Sequence, residues 1–137
     1  MMLRRVPGFP LFAGVAFLAM ACSPAQAHHS FAAFFEGSQS IKLTGKVTAF
    51  RFTNPHGIIA FEVTGPDGKV KQWAAETNSP AVLARRGWTR LSVKPGDTIT
   101  VEGWPSRDGK PYLRLRQAMD AQGKPIGSAP FGQQDEK

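Results

Sequence analysis

Along residues 40–52 the chain reads SIKLTGKVTAFRF. Ile41, Leu43, Gly45, Val47 and Ala49 fall on one side, and Lys42, Thr44, Lys46 and Thr48 on the other. A period of two predicts a half-buried β-strand, because successive side chains of a strand point to opposite faces. Gly45 brings no side chain to mid-strand, so a tight bend or bulge is expected there. The alternation stops at Thr53-Asn54-Pro55-His56-Gly57, where Pro55 has no amide hydrogen for a ladder and holds Asn54 in extended or turn geometry. Two further strands, 58–63 and 69–76, flank Gly65-Pro66-Asp67-Gly68, a hairpin signal.

Residues 80–86 then read as a short helix. Ser79 is placed to cap its free amides, Pro80 suits the first helical position, Gly87 suits the position past the end, and Arg85 and Arg86 sit at the negative terminus. A helix of about two turns cannot stand alone and must be held by packing. Trp88, in the loop that follows, is expected to plug one end of the sheet structure. After the turn Lys94-Pro95-Gly96-Asp97 comes a strand at 98–104, with Ile99, Val101 and Gly103 on one face. The turn at 106–110 leads into PYLRLRQAM, where Leu113, Leu115 and Gln117 oppose Tyr112, Arg114 and Arg116. A last turn spans 120–124, and the Gly-, Pro- and Gln-rich end is expected to be a mobile tail.

The predicted class is all-β with one short helix: three strands, the helix, then two strands. Antiparallel strands joined by short turns must hide their edges, and a strongly bent first strand lets five of them curl into a small barrel. The resulting five-stranded antiparallel barrel, with its helix between the third and fourth strands, resembles the oligonucleotide/oligosaccharide-binding fold. A β-sandwich is the alternative, although five strands make poor opposing sheets. The expected organisation is a signal peptide at 1–27, an N-terminal leader at 28–39, the barrel at 40–126 and a flexible tail at 127–137.

The first of these segments changes the chemistry. Arg4 and Arg5, the apolar run 8–21 and Ala25-Gln26-Ala27 come in the order of a secretory signal. The run falls short of the roughly 20 residues that span a bilayer, so cleavage after Ala27, export to the periplasm and no transmembrane segment in the mature chain are expected. Lipid attachment at Cys22 is the minor alternative. Cys22 is the one cysteine, so cleavage after Ala27 excludes disulfides, thiol nucleophiles and thiolate metal sites from the mature protein. Of 137 residues, 17 are Lys or Arg and 10 are Asp or Glu. Losing Arg4 and Arg5 leaves 15 basic against 10 acidic side chains, a net charge of +5.

His28-His29-Ser30-Phe31 after the cleavage site, Phe52-Thr53-Asn54-Pro55-His56, Trp73 with Glu76, Ser79-Pro80, Arg86-Gly87-Trp88 and Lys94-Pro95-Gly96-Asp97 occur in this order. The combination resembles the exported bacterial proteins grouped as domain of unknown function 6152, over about residues 28–119. The resemblance implies export and a small β-rich domain and leaves the activity unassigned. Phe34 stands where relatives tend to carry an acidic residue.

All 3 histidines fall at two places, His28 and His29 at the expected mature terminus and His56 in a turn. Processing would expose an α-amine of pKa about 7.7 to 8.0 beside imidazoles of about 6.5. Such neutral nitrogen donors suit Cu²⁺ first, then Zn²⁺ or Ni²⁺. The amine and ring of His28 can chelate one ion while His56 supplies a second imidazole, or His29 can chelate through its ring and the backbone amide. Among the nearby acids Glu36, Glu62 and Glu76, the last is the candidate metal partner, and Glu62 is expected to face water. The competing role for the histidines is structural, as a polar leader and a turn residue.

No nucleophile pairing, Walker loop or Rossmann glycine set is visible, so an enzyme is the less favoured class and a copper-dependent one the form it would take. Trp73, Trp88, Trp104 and Tyr112 with Arg51, Lys71, Arg114 and Arg116 suggest instead a face for an anionic small molecule, a glycan or an envelope protein. Nucleic acid is not an expected partner, because acids interrupt the basic residues and export removes the chain from most nucleic acid. A purely structural envelope protein is the remaining alternative to an exported binding or accessory domain.

Overall fold

The structure, a computed structural model, describes residues 29–133 and 135. The chain order is α1 (His29–Phe34), β1 (Ile41–Arg51), β2 (Ile58–Thr64), β3 (Val70–Glu76), α2 (Pro80–Arg85), β4 (Thr98–Pro105), β5 (Tyr112–Met119) and β6 (Pro125–Ile126). β1 serves two neighbours. Its first half pairs with β4, from Ile41 opposite Gly103 to Lys46 opposite Thr98, and its second half pairs with β2, from Lys46 opposite Glu62 to Arg51 opposite Ile58.

Gly45 sits where β1 passes from one partner to the other. A Cβ there would lie 2.4 Å from the Glu62 carbonyl oxygen and 2.9 Å from Phe61 Cδ2, so the crossing needs a residue without a side chain. The bend expected at Gly45 is thus a close approach, and the register shift itself falls between Val47 and Ala49. That bulge reverses the parity of the strand end. Ala49, expected inside, is exposed, and Phe50 packs against the core instead.

The strand order β3-β2-β1-β4-β5 closes through β3 and β5, with Ala74 opposite Tyr112 and Glu76 opposite Arg114. This last pairing is parallel, which corrects the all-antiparallel expectation. Strand directions alternate around the barrel, and an odd ring of five cannot alternate throughout, so one junction must be parallel. The product is a small mixed barrel of the oligonucleotide/oligosaccharide-binding type. A second bulge, between Glu102 and Gly103, shifts β5 so that Ala118 rather than Gln117 joins Leu113 and Leu115 in the core.

α2 closes one end of the barrel. Ser79 Oγ accepts from the Val82 amide, Gly87 donates to the Ala84 carbonyl and Trp88 to the Leu83 carbonyl, which satisfies both helix ends. Val82, Leu83 and Trp88 are buried, and the Trp88 ring packs edge-on to Phe50.

Two segments differ from expectation. The leader contains a second helix, α1, whose Phe31, with Phe35 just past the helix end, forms a buried aromatic cluster with Trp104, flanked by Tyr112. The segment after Gly127, expected as a mobile tail, lies against the barrel end. Phe131 is buried beside Trp88, Ser128 donates to the Arg86 carbonyl, and Arg86 reaches the Pro130 carbonyl and the Asp135 carboxylate. Arg86, read from the sequence as sitting at the negative helix terminus, thus also ties down this segment.

Candidate functional site

The closing junction of the barrel gathers the polar chemistry. Glu76 ends β3 next to Arg114 of β5, whose side chain is 3 % exposed and whose guanidinium donates to Glu76 Oε1 at 2.8 Å. The Tyr112 hydroxyl donates to Glu76 Oε2 at 2.6 Å. His56 arrives from the β1–β2 connection, and its Nδ1 lies 2.7 Å from Glu76 Oε1. A single carboxylate therefore receives three donors.

Local backbone geometry brings His56 there. The β2–β3 ladder continues one step past the strands: Thr77 donates to the Gly57 carbonyl, and Gly57 to the Asn78 carbonyl. Gly57 must be glycine, because a Cβ would lie 2.6 Å from Thr77 Oγ1 and 2.9 Å from the Arg51 carbonyl oxygen. This close approach seats His56 beside the end of β3.

A carboxylate can only accept, so in the His56–Glu76 contact Nδ1 is the nitrogen that faces the acceptor, and Nε2 is the ring nitrogen turned away from it. His56 is one third exposed and lines a cleft of about 530 Å³ with Glu76, Tyr112, the α1 residues Phe31 and Phe34, and Phe35 just past the helix. Asp108 and Lys110 form the rim, 2.8 Å apart, and Ser106 donates to Asp108. Hydrogen bonding from Lys110 first and Ser106 second holds the Asp108 carboxyl at about 2, and the same pairing raises Lys110. Both rim groups are therefore charged at neutral pH.

Burial, and next the hydrogen bond to the Glu76 carboxylate, push the Tyr112 phenol well above its ordinary range. Tyr112 is the one tyrosine of the chain, so the ultraviolet phenolate signal reports on it alone. Folded protein is expected to show no phenolate step near pH 10, and denaturant should restore a step at about 10. Because the folded value is the higher one, the contribution of Tyr112 to stability is fully present below pH 10 and is lost as pH rises further. A folded-state step at pH 10 would contradict the buried phenol–carboxylate contact.

Of the site residues expected from sequence, His56 and Glu76 are brought into contact. His28 lies outside the described residues, and His29 is described only as the first residue of α1, the helix that walls the cleft. Among the described residues no group of three His, Cys, Asp or Glu stands together as a metal site. Glu36 is paired with Arg107 at 2.9 Å, and a hydrogen bond from Ser38 lowers its carboxyl. Glu62 accepts from Gln72 on the outer face.

The cations expected to bind an anion are largely engaged inside the protein. Arg114 pairs with Glu76, Arg116 with Glu102, and Lys71 lies over the Trp73 ring. Sequence reasoning missed Tyr112 and Arg114 as partners of Glu76 and missed the aromatic wall of α1. The signal for the wall was present in Phe31, Phe34 and Phe35, whose spacing of three and four is that of one helix face.

No helix among the described residues is long and apolar enough to cross a membrane. The family model described as a family of unknown function (DUF6152) matches residues 15–113. No curated protein matches the chain. Among solved structures, the chain is similar to the mitochondrial single-stranded DNA-binding protein Rim1 of S. cerevisiae, at 10% identity over 61% of this chain and 92% of that one, with a TM-score of 0.44. It is also similar to the small single-stranded DNA-binding protein of Streptomyces coelicolor, at 17% identity over 60% and 90%, with a TM-score of 0.42. TiaS in its complex with a tRNA and ATP shares 21% identity over 63% of this chain, with a TM-score of 0.41, and the match spans 19% of the TiaS chain.

Proposed function

For a chain that belongs to the family of unknown function DUF6152, we propose the role of an exported binding domain that holds a transition-metal ion between its mature N-terminus and His56. The observation that carries this reading is the orientation of His56. Nδ1 faces Glu76 Oε1 at 2.7 Å, so the ring nitrogen turned away from that contact, Nε2, is the one that would bind an ion at the cleft walled by the helix that begins at His29. A carboxylate behind a histidine is the usual device for fixing the tautomer of a metal ligand. In this role Glu76 orients the ligand and does not itself bind the ion, because its oxygens already accept from His56, Arg114 and Tyr112.

Cleavage after Ala27 would supply the α-amine and the His28 ring as the remaining nitrogen donors. Copper suits such a set best, with zinc and nickel after it. Protons compete for the same nitrogens, so affinity is expected to fall as pH drops through the imidazole range of about 6.5.

The test is Cu²⁺ titration of correctly processed protein, its N-terminus verified by intact mass, against two variants. Adding one residue ahead of His28 keeps every imidazole and displaces the amine, and His56→Ala removes the distant ring. Each is expected to weaken binding by on the order of tenfold or more, about 1.4 kcal/mol. Equal affinities in all three proteins would leave His56 as a turn residue.

A further inference from the structure

The cleft beside His56 combines an aromatic wall with charges that are already matched within the protein. Phe31 and Phe35 pack inward against Trp104 and Tyr112, so they supply the contacts that hold α1. Phe34, on the same helix, adds little to that packing: its ring is 64 % exposed and lines the cleft. Phe35 and Tyr112, which line the same cleft, stack with 16° between their planes and 6.0 Å between centroids. These rings give an aromatic wall to a cleft of about 530 Å³, within the size range of small-molecule sites.

The polar side narrows the ligand further. Glu76 is balanced by Arg114 and accepts from Tyr112 and His56, and Asp108 at the rim is balanced by Lys110 and Ser106. A charged ligand entering here would give up hydration without meeting an unmatched opposite charge. Beyond these pairs the cleft offers the second ring nitrogen of His56, which a hydroxyl can meet as donor or acceptor.

We infer that the cleft binds an uncharged planar aromatic molecule of the phenol class, its ring against Phe34 and its hydroxyl toward His56. The hydroxyl would occupy the same Nε2 that the ion would take, so this ligand belongs to the ion-free cleft. The probe titrations are therefore run with a chelator present, and a failed copper titration does not bear on their outcome.

Para-cresol is expected to bind with a dissociation constant on the order of 0.1 to 1 mM, shifting NMR resonances of Phe34, Phe35 and Tyr112. Benzoate and benzylammonium should bind at least about tenfold more weakly, because each carries an uncompensated charge. Phe34→Ser removes an exposed ring and leaves the buried cluster in place, so the fold should persist while para-cresol binding weakens by about five- to tenfold. The inference is overturned if a charged probe binds as tightly as para-cresol, if 4-methylcyclohexanol matches it, if Phe34→Ser leaves affinity unchanged, or if the shifts map elsewhere.

Discussion

Glu76→Ala is expected to cost about 3 to 5 kcal/mol of folding stability, the range for removing one partner of a buried ion pair. The Arg114 side chain is 3 % exposed and loses the Glu76 carboxylate, and the Tyr112 hydroxyl and His56 Nδ1 lose the acceptor they share with it. The damage falls on the junction that closes the barrel, since Glu76 stands opposite Arg114 in the parallel β3–β5 pairing. Glu76→Gln keeps an acceptor oxygen without the charge and should fall between Ala and the parent. It should also lower the Tyr112 phenol toward its ordinary range, though not to it, because burial is the larger cause of the shift. Urea denaturation of the three proteins checks the order. A Glu76→Ala protein within about 1 kcal/mol of the parent, the worth of one ordinary hydrogen bond, would show that the carboxylate is not a structural anchor.

Gly45→Ala carries the second large effect, and here the sign is decisive. A glycine that merely sits in a strand is replaced by alanine with a gain of roughly 0.5 to 1 kcal/mol, because the unfolded chain has less freedom to lose. At Gly45 the first side-chain carbon would already lie 2.4 Å from the Glu62 carbonyl oxygen. That neighbour is backbone held in the β1–β2 ladder and cannot swing aside. Gly45→Ala is therefore expected to lower stability by about 2 to 3 kcal/mol and Gly45→Val by about 3 kcal/mol or more, as overpacking does. A higher denaturation midpoint for Gly45→Ala would remove the close crossing of β1 over β2.

Features controlled by neighbouring residues are legible along the chain. The alternation in 41–47, 58–63 and 98–101, the turn residues at 65–68 and the caps around 80–87 specify strands, hairpin and helix, since each rests on side chains within a few positions. Even the meeting of His56 with Glu76 is within reach of the sequence. Counting back from the hairpin turn places Ile58 opposite Glu76, and His56 lies just beyond. The two bulges are not legible, because a one-residue shift leaves no mark on composition. Each reverses the parity of the positions after it: Phe50 replaces Ala49 inside, and Ala118 replaces Gln117.

The rest of the site depends on closure of the barrel. Glu76 meets Arg114 and Tyr112 because the sheet closes on itself between strands that are not consecutive in the chain. α1 becomes a wall of the cleft because Trp104 and Tyr112 offer its phenylalanines a surface to cover. A six-residue helix has no stability of its own, and a buried arginine is tolerated only where a carboxylate meets it. Both features depend on long-range packing, whereas the pattern along the chain encodes only which face each residue prefers.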